Sequence, residues 1–488
     1  MIKKGILEFI ILFLLTKLNR ITSDTIKIKF KTLKFSDEKI RNQLDIKYEL
    51  NTDKEKYFYY DLILNNIYSE ILIGSPPQKI IGFYSGKSEI FSLSADKCFI
   101  KNSKYDRTLS NTFYNISDFN IYYRKYENGC FAKENFQFES YDDHNKIIFN
   151  DLKFFLTNDK DKNQNICALI GLRLNYQDMF IENPKNFIYY LMQYFNNNNN
   201  NQKKINLYYW TIKYENNNEG FISIGEPPHI YDTSNYYKNK KFNEFNMEAR
   251  YSTLNWAIQF NQIFLQKSNE TIYLKKYSEG HNCVFYPEIN IILSTVDYFN
   301  KIKQEFFNKF IDLKICFIKK VYISDINSTI IKGLSGEYLL FFCDKNKLIE
   351  YNVNNFYSEF PSLNFYHNLV NYNFTLTGKD LFFEDEINNK VYFLIGNKNN
   401  HVDQWILGKI FMNKFEFVFN SEMKTVGYYT PINNLIEKEN NFEFNHIKVI
   451  IIVIFLILIL VFISFLVCKK GNEFFQDNKG VALEMKLI

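Results

Sequence analysis

The chain has 488 residues, of which 46% are hydrophobic and 18% aromatic, and this is too apolar for a chain that is disordered throughout. Its 59 basic and 54 acidic residues give a formal net charge of +5. That balance, without a basic stripe interleaved with aromatic residues, argues against nucleic acid as a partner. A chain of this length can bury more than one hydrophobic core, so two globular units or one large bilobal unit are expected.

The N-terminus has the layout of a secretory signal peptide. Lys3 and Lys4 precede the apolar run IILFLL, and the polar exit TSD follows, so residues 1–23 are predicted to be a signal peptide. The next segment, residues 24–56, is Lys-rich; it first alternates apolar with basic residues and then becomes helix-like. It is predicted to be a leader, or pro-segment, ahead of the main body.

The body, from about residue 57 to residue 430, consists of many short apolar or alternating runs separated by polar turns, such as NIYSEILIG, GFISIGEPP and KVYFLIG. This pattern is typical of mostly β structure. The run FNNNNNNQKK at residues 195–204 interrupts it. Because a low-complexity polar tract cannot pack into a core, this run is predicted to be a loop insertion.

An uncharged apolar segment near the C-terminus begins at Val449 and ends at Val467. Residues 449–467 are long enough to cross a bilayer as a helix, and two lysines follow at once, so residues 468–488 are predicted to be a cytoplasmic tail. Residues 431–448 are the predicted stalk. The chain is therefore predicted to be a single-pass type I membrane protein of the secretory pathway or cell surface, with its body lumenal or extracellular.

This topology places six of the seven cysteines in an oxidising compartment, where up to three disulfides are possible. Two pairs are predicted, Cys316 with Cys343 and Cys98 with Cys130; spacing alone does not fix the connectivity, and Cys167 and Cys283 are left over. Cys468, at the cytoplasmic membrane edge, is either a palmitoylation site or a bystander. The sequons that fit a lumenal, glycosylated surface are Asn115, Asn269, Asn327 and Asn373.

Other chemical motifs are absent from the sequence. The six histidines show no short metal-ligand spacing, so no metal and no cofactor is expected. The stretch GFYSGKS at residues 82–88 has only three residues between its glycines, whereas a phosphate-binding loop needs four and a βαβ context.

Several stretches, taken in order, resemble motifs of the pepsin-like aspartic protease family. In IGSPPQKIIGFYSGKSEIF, residues 73–91, Gly86 and Ser88 match the family's first catalytic loop, and Tyr84 stands at the position of its Asp. The stretches CALIGL and WILGKIFMNKFEFVFNSEMKTVGYY match the two hydrophobic-hydrophobic-Gly elements. GFISIGEPPHIYD resembles the end of the first lobe, and STLNWAIQF resembles the strand that opens the second.

The second catalytic loop of the family is matched by CVFYPEINIILSTVDYFNKI, in which Tyr286 is aligned with the Asp. Tyr123 fits the tyrosine of the family's flap, but Arg124 replaces the glycine that follows it. The resemblance implies a mostly β, bilobal, pepsin-like fold, with an N-terminal lobe at residues 57–228 and a C-terminal lobe at residues 229–430, followed by the C-terminal transmembrane helix.

The chemistry of the family requires two carboxylates that share one proton around a bound water. Tyrosine, with an ordinary pKa near 10 and a single oxygen, cannot supply the base. The resemblance therefore implies a pseudoenzyme, with no catalytic residue, that acts as a peptide-binding or scaffolding ectodomain. The predicted ligand is an extended peptide or protein in the cleft between the lobes, and the predicted binding residues are Tyr84, Gly86, Ser88, Tyr123 and Tyr286.

Two alternatives stay open. One is an active aspartic endopeptidase that uses displaced carboxylates, of which Glu89 and Glu288 are the nearest but are expected to point elsewhere. The other is a structural or adhesive surface protein whose cleft is filled. In active relatives a basic residue of the leader faces the Asp pair; Lys27, Lys29 and Lys31 would have no such partner here, and leader removal would need another protease.

Overall fold

The computed structural model describes residues 25–37, 54–88, 90–94, 103, 105–117, 121–123, 127–157, 168–174, 185–198, 209–232, 234, 236–247, 255–267, 270–274, 280–323, 334–351, 353, 356–398 and 404–431. The predicted signal peptide, membrane helix and cytoplasmic tail lie outside these residues, as does the predicted stalk after residue 431. Within the described ranges, no helix combines the length and the apolar character needed to cross a membrane.

The chain divides into two compact units. One comprises Met1–Thr233 and Phe242–Tyr429, and the other comprises Ser234–Lys241 and Thr430–Ile488. All the residues of the candidate site described below belong to the first unit.

Strands dominate the described part of the chain. In chain order they are β1 (Ile26–Leu33), β2 (Asn66–Ile73), β3 (Gln78–Ser85), β4 (Phe91–Ser94), β5 (Tyr114–Asn115), β6 (Ile121–Tyr123), β7 (Glu127–Glu139), β8 (Lys146–Thr157), β9 (Ala168–Gly171), β10 (Tyr209–Tyr214), β11 (Glu219–Gly225), β12 (Lys240–Asn246), β13 (Ala257–Phe260), β14 (Gln262–Lys267), β15 (Glu270–Tyr273), β16 (His281–Phe285), β17 (Ile292–Ser294), β18 (Cys316–Ile323), β19 (Gly336–Asp344), β20 (Ser362–His367), β21 (Tyr372–Leu376), β22 (Phe382–Asp385), β23 (Lys390–Phe393), β24 (Ile395–Lys398), β25 (Trp405–Leu407), β26 (Val418–Asn420) and β27 (Thr425–Pro431).

The helices of the described residues are short. They are α1 (Lys54–Ile63), α2 (Phe187–Asn198), α3 (Pro228–Tyr231), α4 (Val296–Ile302), α5 (Asn308–Asp312), α6 (Lys345–Glu350), α7 (Phe356–Glu359), α8 (Gly378–Leu381) and α9 (Lys409–Phe415), with a 3₁₀ turn at Arg107–Leu109 and a π-helical turn at Lys303–Phe307.

The strands form three sheets. The first has the order β12-β27-β26-β10-β11-β1-β2-β3-β9-β4-β8-β7-β5, with β6 beside β7. The second has the order β13-β16-β25-β17-β24-β19-β23-β22, with β18 beside β19, and the third has the order β15-β14-β20-β21. The predicted mostly β, two-lobed architecture is thereby confirmed, with β1 to β11 in one lobe and β13 to β25 in the other.

The two lobes repeat one strand arrangement. In the first, β3 runs parallel to β9, β9 is antiparallel to β4, and β4 is parallel to β8. In the second, β16 runs parallel to β25, β25 is antiparallel to β17, and β17 is parallel to β24. Most residues of β3, β4, β9, β16, β17, β24 and β25 are buried, as expected for strands covered on both sides of a sheet. The loops that follow β3 and β16 therefore occupy equivalent places.

Each copy of this arrangement contains a glycine at a close backbone approach. A Cβ atom on Gly408 would lie 2.1 Å from the carbonyl oxygen of Ile291 and 2.5 Å from that of Ile289. In the other lobe, a Cβ atom on Gly171 would lie 2.4 Å from the carbonyl oxygen of Ile90. Because these contacts are with backbone atoms, a side chain could be accepted only by moving a strand.

Gly408→Ala is expected to lower the free energy of unfolding by about 2–3 kcal/mol, because the added methyl group overpacks a rigid backbone contact. Urea denaturation would measure the loss. Gly82→Ala is the control, since its added Cβ would meet only the side-chain ends of Ile71 and Ile170, which can adjust. An equal or smaller loss for Gly408→Ala than for Gly82→Ala would contradict the close-approach explanation.

Part of the predicted leader is an interior strand. β1 pairs with β11 from Ile26 opposite Ile224 to Lys31 opposite Glu219, and its end pairs with β2. The first residues of α1 also come from the predicted leader, residues 24–56. The described part of this segment thus belongs to the first sheet and its neighbouring helix.

The predicted disulfide between Cys316 and Cys343 is confirmed, and it joins directly opposite residues of β18 and β19. The other predicted pair is wrong: Cys130, on β7, is a free and buried thiol, and its predicted partner, Cys98, lies outside the described residues. Cys283 is also free and buried. Of the predicted sequons, Asn115 and Asn373 are exposed; the remaining two, and the cysteines at 167 and 468, lie outside the described residues.

Candidate functional site

The candidate site consists of two loops that meet between the repeated strand arrangements. The first loop, residues 84–88, leaves β3, and the second loop, residues 286–290, leaves β16. A Cβ atom on Gly86 would lie 2.6 Å from Cδ of Pro287, so the two loops are in direct contact. The absence of a side chain at Gly86 is what permits this approach.

Strand register identifies which residues of the two loops are equivalent. Tyr84 lies opposite Ile170, the residue before Gly171, and Phe285 lies opposite Leu407, the residue before Gly408. The strands after the loops agree, since Ser92 lies opposite Leu169 and Leu293 lies opposite Ile406.

The internal equivalent of Tyr84 is therefore Phe285. Tyr286 is the equivalent of Ser85, one residue later than the sequence alignment placed it. The apolar run CVFYPEINII contains no glycine that could have fixed the alignment from sequence. Neither Tyr84 nor Phe285 carries a carboxylate.

Tyr84 is buried, with 2% of its surface exposed, and its hydroxyl group lies away from the second loop. Its Oη is 2.8 Å from Oγ of Ser69 on β2. Ser69 Oγ in turn donates to the carbonyl oxygen of Lys29 on β1, at 2.5 Å. Since Ser69 gives its proton to Lys29, Tyr84 is the donor to Ser69. Burial raises the pKa of Tyr84 far above its ordinary value of 10, so the phenol stays neutral.

Tyr286 has other partners than Tyr84. Its Oη accepts a hydrogen bond from Nδ2 of Asn255 at 3.2 Å, and Nζ of Lys87 lies 5.8 Å from its ring centroid. Burial raises the pKa of Tyr286 to about 12. Among the described residues, the hydroxyl groups of Tyr84 and Tyr286 thus have different partners, Ser69 and Asn255.

Glu288 joins the two loops. Its Oε1 accepts hydrogen bonds from Oγ of Ser85 at 3.0 Å and from the backbone N–H of Lys87 at 3.1 Å, and its Oε2 accepts one from the N–H of Gly86 at 2.9 Å. The side chain is fully buried. A carboxylate of the second loop therefore satisfies three donors of the first loop.

Glu288 is expected from the sequence to be displaced along its loop and to point elsewhere than the aligned Asp position; in the structure it is directed at donors of the first loop. Its direction depends on the first loop, which is about two hundred residues away in sequence, so no local signal could reveal it. A glutamate directly after a proline in an otherwise apolar stretch is the only feature that sets it apart in the sequence.

Asn65 holds the second loop through a second set of hydrogen bonds. Nδ2 of Asn65 donates to the carbonyl oxygen of Pro287 at 2.7 Å and lies 2.6 Å from Oη of Tyr214. The N–H of Asn65 donates to the carbonyl oxygen of Glu288 at 2.8 Å. The sequence analysis did not single out Asn65, which precedes β2 and ties that strand to the loop.

Burial and neighbouring groups act in opposite directions on the pKa values of the two charged residues at the contact between the loops, Glu288 and Lys87. Burial raises the pKa of Glu288, and the donors from Gly86, Ser85 and Lys87 partly offset this effect. Burial lowers the pKa of Lys87, the nearby Glu288 carboxylate acts in the opposite direction, and the charge of Arg173 lowers it further. The site therefore holds one buried carboxylate and a partly buried lysine whose pKa that carboxylate influences.

The remaining predicted residues are structural or outside the described side chains. Oγ of Ser88 accepts a hydrogen bond from the N–H of Ile90 at 3.2 Å, and the carbonyl oxygen of Ser88 accepts one from the N–H of Arg173 at 2.9 Å. Tyr123 ends β6, but its side chain lies outside the described residues, as do Arg124 and Glu89. Ser88 therefore shapes the exit of the first loop.

The arrangement lacks the groups that acid-base hydrolysis by two carboxylates requires. Between the two loops, the described residues place one carboxylate, Glu288, which accepts hydrogen bonds from three donors of the facing loop and from its own backbone N–H. A dyad needs two carboxylates that face each other and reach a common water. In the described residues, no group of three or more His, Cys, Asp or Glu side chains could hold a metal ion. No protein-family model and no curated protein matches the chain.

Proposed function

We propose that the chain is a membrane-anchored, catalytically inactive homologue of the pepsin-like aspartic proteases that acts as a binding or scaffolding ectodomain. The observation that carries this proposal is which residues occupy the two equivalent loop positions. They hold Tyr84 and Phe285, and the carboxylate nearest to them, that of Glu288, is buried and bonded to three donors.

The physical argument is that hydrolysis needs a base and an acid around one water. A phenol with a raised pKa supplies no base at acid or neutral pH, and a phenyl ring supplies neither a base nor an acid. Glu288 alone could act only if it were freed from its three donors and exposed to substrate. The repeated strand arrangement of the two lobes and the contact of the two loops support the pepsin-like part of the proposal.

The test is an assay of the purified full-length protein on denatured globin, from acid to neutral pH, with and without pepstatin. We expect no pepstatin-sensitive cleavage. A matched preparation of Glu288→Gln controls for a contaminating protease, since contamination would persist in the variant. Pepstatin-sensitive cleavage by the native protein that is lost in Glu288→Gln would establish the alternative, an active enzyme with a displaced carboxylate.

A second candidate function is a structural or adhesive surface protein whose cleft is filled. The burial of the loop centre favours it: Tyr84, Tyr286 and Glu288 are all at most 6% exposed, so a peptide would contact little of this surface. A peptide-library binding screen separates the two. Saturable binding of extended peptides supports a binding ectodomain, and no binding supports the filled cleft.

A further inference from the structure

We infer that the slot between β2 and β11 is a binding site for one extended, lysine-bearing strand, and that its permanent occupant is β1 (Ile26–Leu33) of the same chain. β1 would then be a structural strand of the mature protein and not a segment that is removed. This inference does not depend on the proposed function, because it concerns only how the first sheet is completed.

The backbone of β1 is paired on both edges. Six of its residues are in register with β11, from Ile26 to Lys31, and three are in register with β2, from Lys31 to Leu33. Without β1, both neighbouring strands would present unpaired N–H and C=O groups in the middle of a sheet, and such groups are costly to bury and prone to misassociation when exposed.

One face of β1 completes the hydrophobic core. Ile28 and Phe30 are fully buried and Leu33 is 1% exposed. The ring of Phe30 packs edge-on against Tyr214, with ring centroids 5.4 Å apart; Tyr214 is the same residue that contacts Asn65 beneath the second loop. Loss of β1 would therefore open an apolar slot that reaches to the candidate site.

The other face of β1 carries lysines that are matched to carboxylates of the neighbouring residues. Lys27 pairs with Asp142 at 2.9 Å, Lys29 with Glu139 at 3.2 Å and Lys31 with Glu70 at 3.1 Å. Partly exposed ion pairs contribute little stability individually. Their alternation with buried apolar residues nevertheless specifies the strand that fits the slot: lysine at every second position, with bulky apolar residues between.

Further hydrogen bonds fix the strand at its end and at its centre. After β1, the N–H groups of Phe35 and Ser36 both donate to the carboxylate of Asp61 on α1, each at 2.7 Å. At the centre, Tyr84 donates to Ser69, and Ser69 donates to the carbonyl oxygen of Lys29. Tyr84 is thus a positioning residue for β1, acting through Ser69.

The first experiment uses the full chain with a specific protease site placed between residues 38 and 53. After complete cleavage at neutral pH, size-exclusion chromatography with mass spectrometry locates the fragment that contains β1. The inference requires the fragment to co-elute with the body. A body free of the fragment overturns it, as does a mature cellular protein that begins after residue 37 and carries no copurified fragment.

The second experiment tests the role of Tyr84 by hydrogen exchange. In Tyr84→Phe, exchange of the β1 amides should rise about fivefold, as expected for the loss of one hydrogen bond, while amides of β16 stay unchanged. Tyr68→Phe is the matched control, because Tyr68 is a buried tyrosine of β2 whose hydroxyl group is not part of the link to Lys29. In this variant, hydrogen exchange of the β1 amides should change less than about twofold. Equal effects of the two variants would overturn the role of Tyr84.

Discussion

Replacing Glu288 with alanine is expected to lower the free energy of unfolding by about 3–5 kcal/mol, because three buried donors lose their acceptor and each costs about 1–3 kcal/mol when unsatisfied. The donors are Oγ of Ser85 and the N–H groups of Gly86 and Lys87. Two of them are backbone groups that cannot rotate toward another partner. Urea denaturation of the full-length protein, followed by tyrosine and tryptophan fluorescence, would measure the loss.

Glu350→Ala is the matched control for this variant. Glu350 is an exposed glutamate at the end of α6, so its replacement should change the stability by at most about 0.5 kcal/mol. If Glu288→Ala were as mild as this control, Glu288 would not hold the two loops together.

The pH dependence of the same residue gives an independent readout. Because burial raises the pKa of Glu288 above its ordinary value of 4.5, the folded protein holds this proton more tightly than the unfolded chain does. Its contribution to stability is therefore fully present below the unfolded pKa and falls as the pH rises through the folded pKa. The stability of the native protein relative to Glu288→Gln should decline across that window, since glutamine does not titrate.

Placing an aspartate at position 84, as Tyr84→Asp, is expected to cost about 3–5 kcal/mol at neutral pH, because it leaves a cavity and a buried, unpaired carboxylate. The site is 2% exposed, and the nearest hydroxyl group, that of Ser69, already donates its proton to Lys29. The loss should be smaller at acid pH, where the buried carboxyl group takes up a proton. Stability curves at both pH values would measure it.

Tyr84→Phe is the control, since it keeps the ring and removes only one hydrogen bond, at a cost of about 1 kcal/mol. We also expect no hydrolysis of denatured globin by Tyr84→Asp, because Phe285 remains at the equivalent position. A stable Tyr84→Asp variant that cleaved globin would show that the position still accommodates catalysis.

The mostly β fold and the first loop could be predicted because their signals are local. The double proline, Gly86 and Ser88 have a fixed spacing in one strand and one turn, and alternation marks the strands. The second loop could not be aligned correctly, because the choice between Phe285 and Tyr286 depends on the register of β16 with β25, which is set by pairing across more than a hundred residues.

Contacts between residues that are far apart in the sequence could not be predicted, for the same reason. The alternation of lysines in β1 predicts a strand but not that the strand lies inside the sheet. Which cysteines lie opposite each other, as Cys316 and Cys343 do on β18 and β19, is set by strand pairing, so counting cysteines in an oxidising compartment led to a wrong pair for Cys130. In both cases, the residues that a segment contacts are determined by the packing of the folded chain and not by the nearby sequence.

The two equivalent loops carry residues of opposite charge at one matching position. Three residues after Tyr84 stands Lys87, and three residues after Phe285 stands Glu288, so the two loops carry opposite charges at matching positions, with the N–H of one bonded to the carboxylate of the other. Two first lobes would set lysine against lysine, and two second lobes would set glutamate against glutamate. A molecule assembled from two identical halves would therefore lack this contact between an N–H group and a carboxylate.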